Sequence, residues 1–224
     1  MTTLGRNDLA AVAALGEPVR RKLYRAVVEA GSPISRDDAA AAVGIPRSTA
    51  AVHLGRLVEA GALTAEYRRV SGRTGPGAGR PTKLYSPASG DLLASVPERH
   101  YELAGDLLAS AAERADRDEV TVRAALALEA RQAGTAIGRA HAPLETALIA
   151  CGYGPRDDGA GGIVLDNCPF HALAARHTQL ICSANVEFVR GMADVTGDDR
   201  EVDLQPREGR CCVVVHARRE RDPA

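Results

Sequence analysis

The chain has 224 residues, of which 45% are hydrophobic, 25% charged and only 3% aromatic, with no Trp. That composition excludes a disordered tail, a collagen-like repeat and a disulfide miniprotein, and allows one large domain or two small ones. The net charge of -1 conceals an asymmetry: residues 1–88 carry 13 Lys+Arg against 7 Asp+Glu, and the remainder 15 against 22. Such a split predicts a polyanion-binding half joined to a half with other chemistry.

No apolar run approaches the roughly 18 residues needed to cross a bilayer. The opening MTTLGRNDLA has neither a basic leader nor an apolar one. The expectation is a cytoplasmic protein without a membrane partner.

Glu17-Pro18 opens a helical pattern, with Pro at the first helical position and Val19, Leu23, Ala26 and Val27 at helical spacing as far as Gly31. Ser35 is placed to cap a second helix, Arg36 to Val43, whose first turn holds Asp37 and Asp38 where the helix dipole favours anions. Gly44-Ile45-Pro46 breaks it, and a third helix runs from Arg47 or Ser48 to Ala60, stopped by Gly61. Helix, short Gly-containing turn, helix is the helix-turn-helix pattern. Its second helix starts at the DNA major groove, which makes Arg47, Ser48, Thr49, His53 and Arg56 the candidate contacts.

Leu63 to Val70 and Thr82 to Ser86 read as strands around the Gly/Pro/Arg-rich loop of residues 71–81, a hairpin with a basic tip. Arg68, Arg69, Arg73, Arg80 and Lys83 fall on this wing and suit phosphate contact. The segments EPVRRKLYRAVVEAG, SRDDAAAAVGIPRSTAAVHLGRLVEAGAL and GRPTKLYSP together resemble the winged-helix part of ArsR/DeoR-type bacterial transcriptional regulators.

Pro87 to Pro97 is broken by Pro and Gly and fits a linker. Two long helical patterns follow, Arg99 to Ala115 and Val120 to Ile137. A two-fold operator needs two recognition helices at fixed spacing, so these helices suit a homodimer seam; an intramolecular core is the other reading of the same apolar stripes. Beyond them, Pro143 to Cys151 reads as a helix and residues 152–167 as a strand, a Gly/Asp turn and a strand. Helices over Phe170 to Arg176 and Thr178 to Met192, then strands over Glu201 to Gln205 and Arg210 to His216, complete an α+β sensor domain. The whole chain is thus expected to be α+β: a winged helix-turn-helix at 1–88, linker and dimerisation helices at 89–140, and a cysteine-containing sensor domain at 141–224.

All five cysteines lie beyond residue 150. Their odd number and cytoplasmic setting argue against structural disulfides, and free Cys is a good core residue, the role expected of Cys151. Cys168 at a helix start, Cys182 within a helix and Cys211 or Cys212 on a late strand could instead converge on one soft metal centre. Strand alternation sends Cys211 with Val213 and Val215 to one face and Cys212 with Val214 and His216 to the other, so one of the pair is expected to reach the site, Cys211 if that Val pair marks the core.

NCPFHALAARHTQLIC, residues 167–182, with GRCCVVV at 209–215, resembles the sensor half of the SufR-like repressors. That resemblance implies an iron-sulfur cluster, 4Fe-4S or 2Fe-2S, held by Cys168, Cys182 and one of Cys211 and Cys212, with the last iron site open or taking a non-Cys ligand. His171, one helical turn after Cys168, is the candidate for that position and His177 the second. Zinc at the same thiols, or a small organic effector in an apolar cavity, is the alternative. No P-loop, GxGxxG with a ribose-binding acid, HExxH or GxSxG occurs, and a Cys168/His171 nucleophile pair lacks a third member, so no enzyme activity is expected.

Overall fold

The computed structural model describes residues 8–68, 81–206 and 210–217. Its elements form two compact units, divided between Ala94 and Ser95.

The first unit contains α1 (Leu9–Ala14), α2 (Pro18–Glu29), β1 (Ile34–Ser35), α3 (Arg36–Val43), α4 (Arg47–Glu59), β2 (Leu63–Arg68) and β3 (Thr82–Pro87). Glu17 starts α2 by accepting hydrogen bonds from the Val19 and Arg20 amides, at 2.9 and 2.7 Å. Ser35 and Asp38 form a reciprocal capping box on α3. Gly44 ends that helix at φ 71°, a left-handed conformation that costs glycine little. The three strands form an antiparallel sheet in the order β1-β3-β2. Leu23, Val27, Ala50, Leu54, Leu57, Leu63 and Tyr85 close the core between helices and sheet. Two elements go beyond the sequence reading: α1, and the short β1 that adds a third strand to the expected hairpin.

The second unit contains α5 (Tyr101–Asp118), α6 (Val122–Ala140), α7 (Leu144–Ala150), β4 (Pro155–Asp157), β5 (Ile163–Leu165), α8 (His171–Arg176), α9 (Thr178–Thr196), β6 (Glu201–Leu204) and β7 (Val213–His216). Its sheet is antiparallel with the order β4-β5-β7-β6. The expected division at residue 140 differs from the structure, because α5 and α6 share one continuous core with α7, α9 and the sheet.

The reason lies in the crossing of α6 and α9. A Cβ on Gly134 would fall on the Phe188 carbonyl, one on Gly191 on the Arg131 carbonyl, and one on Gly138 against the Met192 backbone, all inside 3.0 Å. Small residues let the two backbones touch, as in other close helix crossings. Ala125, Leu126, Ala130, Ala133 and Ile137 of α6 are consequently buried within the unit. Arg131 ties the crossing at its rim, 2.7 Å from Glu187 and 2.8 Å from Asp194.

Candidate DNA interface and thiol site

In the N-terminal unit, Ala50, Leu54 and Leu57 anchor α4 in the core, which turns Arg47, Ser48, Val52 and Arg56 to solvent. Ser48, Val52 and Arg56 follow at intervals of four and share one helix face. Val52 is 57% exposed between its polar neighbours. Arg47 is 2.6 Å from Asp37 of α3, both side chains half exposed, and Thr49 is half-buried. His53, expected to face the groove, is instead turned inward: its Nδ1 lies 3.5 Å from Glu17, the α2 cap, with the ring side chain 20% exposed. The two α2 amides and, to a smaller degree, His53 hold the Glu17 carboxyl below its ordinary value.

On the hairpin, Arg68 pairs with Glu66 at 3.2 Å, and the Lys83 ammonium sits 5.4 Å from the Tyr85 ring centre in a cation–π arrangement. Arg69, Arg73 and Arg80, and the loop tip that carries them, lie outside the described residues.

In the C-terminal unit, three segments bring four cysteines together. Cys168 follows β5, Cys182 sits in the second turn of α9, and Cys211 and Cys212 immediately precede β7. The Cys168 and Cys211 thiols are close enough to shift one another's ionisation, as Cys212 does that of Cys182, and Cys168 also acts electrostatically on Cys182. Cys168, Cys182 and Cys211 are buried and Cys212 is half-buried.

Strand alternation does not govern the adjacent pair, because regular β7 begins only at Val213. Backbone bonds place the two instead: the Cys211 amide donates to the Leu165 carbonyl at 3.1 Å, and the Cys212 carbonyl accepts from the Gln205 amide at 2.6 Å. Each of the two therefore meets a different cysteine.

Hydrogen bonding from Cys211 pulls the Cys168 thiol below its ordinary value, and the nearby Arg99 guanidinium adds to this. The same contact, with burial, pushes Cys211 well up. Burial first, and Cys212 second, raise Cys182 to about 12. Cys168 is thus the member of its pair that ionises first. Cys151 is buried in the same core, near enough to Tyr153 to act on it as Cys168 and Cys211 do, and is pushed well up by burial.

Several residues that sequence spacing does not single out brace this group. Arg99 donates to the Cys168 carbonyl at 3.2 Å and to the Asn167 side chain, and Asn167 in turn donates to the Glu98 carbonyl at 3.1 Å and to Gly152. The His100 amide donates to the Pro169 carbonyl at 3.1 Å. Asn185, one turn after Cys182, donates to Cys211 Sγ at 3.5 Å. The nearest sequence signal for any of these is Asn185, a polar residue at a core-facing helical position. His171 and His177, the expected fourth ligands, are exposed. The His171 amide bonds back to the Cys168 carbonyl at 3.1 Å, which tightens the first turn of α8 while its ring stays outside.

A family model for a helix-turn-helix domain matches residues 15–66. The match runs from just before α2 into β2 and contains the whole exposed face of α4. The N-terminal unit is a helix-turn-helix domain, a module of DNA-binding transcription regulators. No curated protein and no solved structure matches the chain. Among the described residues no helix is long and apolar enough to cross a membrane.

Among the described residues, no three His, Cys, Asp or Glu side chains stand at the spacing of a ready-made single-ion site. The donor chemistry nevertheless fits a soft metal group: four thiols on three separate segments, three of them buried, with a guanidinium and an amide donor around them.

Proposed function

We propose that the protein is a homodimeric transcriptional repressor of the ArsR/DeoR type whose affinity for a palindromic operator is set by an iron-sulfur cluster at Cys168, Cys182 and one of Cys211 and Cys212. The observation that carries this reading is the proximity of thiols from the segment after β5, from α9 and from the segment before β7, in a chain whose other unit is a helix-turn-helix domain.

On the DNA side, Ser48 and Arg56 suit phosphate or base-edge contacts, and Val52 between them suits a thymine methyl group. Arg47 reaches phosphate by exchanging its ion pair with Asp37 for one with the duplex. On the sensor side, a bound cluster supplies an oxidation- and iron-sensitive cross-link between the three segments. Arg99 draws negative charge toward Cys168, and the backbone bonds of Cys211 and Cys212 hold their thiols beside β5 and β6. A coupling of about 1–3 kcal/mol between the two sites changes operator affinity by roughly 5- to 150-fold.

An organic effector held in the apolar core is less well supported. The apolar cavity bounded by Leu107, Leu126, Phe170 and Phe188 has a volume of about 20 Å³. That is close to the space of one water molecule.

The test is purification without oxygen, an absorbance spectrum with iron, sulfide and zinc assays, and operator binding by loaded and metal-free protein at one salt concentration. Iron and sulfide in matching amounts, broad absorption near ~400 nm and a change in affinity on metal loss are expected. Colourless protein with stoichiometric zinc would make the same thiols a zinc site, and equal affinities would end the sensing role.

A further inference from the structure

His100 and Asn185 are the fully buried polar side chains among the described residues, and Asn185 alone of the two points at a cysteine. It is 3% exposed, on the core-facing side of α9. Its amide has one acceptor and two N–H donors to satisfy. The Tyr153 hydroxyl, itself on a residue 1% exposed, donates to Asn185 Oδ1. On the other end of the amide, Nδ2 faces Cys211 Sγ at 3.5 Å.

A neutral thiol is a weak acceptor and a poor return for burying a primary amide. A thiolate bound to metal retains negative charge and is a much stronger acceptor, and N–H groups directed at ligand sulfurs orient them and tune the centre. We infer that Asn185, held by Tyr153, is a positioning residue that aims Cys211 Sγ, rather than Cys212, at a thiolate-bound metal. The inference rests on the reading of the thiols as a metal site and adds a residue that neither cysteine spacing nor the helix-turn-helix match contains.

The experiment titrates Cd²⁺, a soft thiolate probe, into reduced, cluster-free, full-length protein and follows the thiolate-to-metal charge-transfer band. Asn185→Leu, close in shape but without donors, is expected to weaken Cd²⁺ binding by about 10- to 100-fold, the usual loss when an outer-shell partner is removed. In a Cys211→Ser background the same substitution should have no further effect, because the sulfur it serves is gone. Tyr153→Phe keeps the amide but frees its orientation, and should weaken binding in the same direction by less; it also serves if Asn185→Leu does not fold.

Unchanged affinity in Asn185→Leu, or an equal loss in the Cys211→Ser background, would overturn the positioning role while leaving the metal site standing. Wild-type protein that binds no Cd²⁺ would remove the metal site, and the inference with it.

Discussion

His100 is the buried side chain whose chemistry is least accommodated by its surroundings. Its Nε2 lies 3.3 Å from Glu98 Oε1 without hydrogen-bond alignment, and Nδ1 has no hydrogen-bond partner. Burial lowers its proton affinity below the ordinary value of 6.5, against the opposing pull of Glu98 and Glu102. The unfolded chain therefore takes up a proton near pH 6.5 that the folded ring refuses. Stability that is complete above this pH is lost progressively as pH falls below it, until the folded ring also protonates. Urea midpoints measured between about pH 7.5 and about pH 5.5 should fall less steeply in His100→Gln than in wild type. Parallel curves would show that this ring does not contribute.

At the scale of elements, glycine has opposite meanings in two helices of the same unit. Gly105 lies exposed in the interior of α5, with nothing within 4 Å of a built Cβ, whereas Gly191 of α9 rests on the Arg131 carbonyl of α6. Gly105→Ala should stabilise the unit by about 0.5–1 kcal/mol through the unfolded chain alone. Gly191→Ala must separate two helices and should cost about 3 kcal/mol or more. Chemical denaturation of the two variants checks both signs. A mild effect of Gly191→Ala would mean that α6 and α9 can slide apart without penalty.

At the scale of the whole molecule, the basic N-terminal half and the cysteine-bearing half should be separable by mutation. Arg56→Ala is expected to weaken operator binding and lower the salt slope by about 1 while leaving metal content intact. Cys182→Ser is expected to abolish the metal centre and leave nonspecific DNA binding. Affinity measured at several salt concentrations, alongside metal assays on both variants, separates these outcomes. Loss of metal from Arg56→Ala, or of all DNA binding from Cys182→Ser, would contradict two independent sites.

What could be read along the chain was what depends on neighbouring residues. Pro18, Ser35, Gly44 and Gly61 punctuate the helices through capping and left-handed turns, so the helix-turn-helix and the start of α4 follow from local chemistry. The charge asymmetry and the confinement of cysteine to one half are likewise properties of composition. The tertiary structure decided what depends on partners far away in sequence. His53 turned inward because Glu17, needed to cap α2, stands beside it. Cys211 and Cys212 both met cysteines because pairing with β5 and Gln205 holds them outside the regular strand. Gly134, Gly138 and Gly191 joined helices that spacing alone left free to pair with either this chain or another, since an apolar stripe states that a face is buried and not against what. Asn185 and Tyr153, 32 residues apart, meet only because α9 packs against the segment before β4, which also brings the Asn185 amide to Cys211 Sγ.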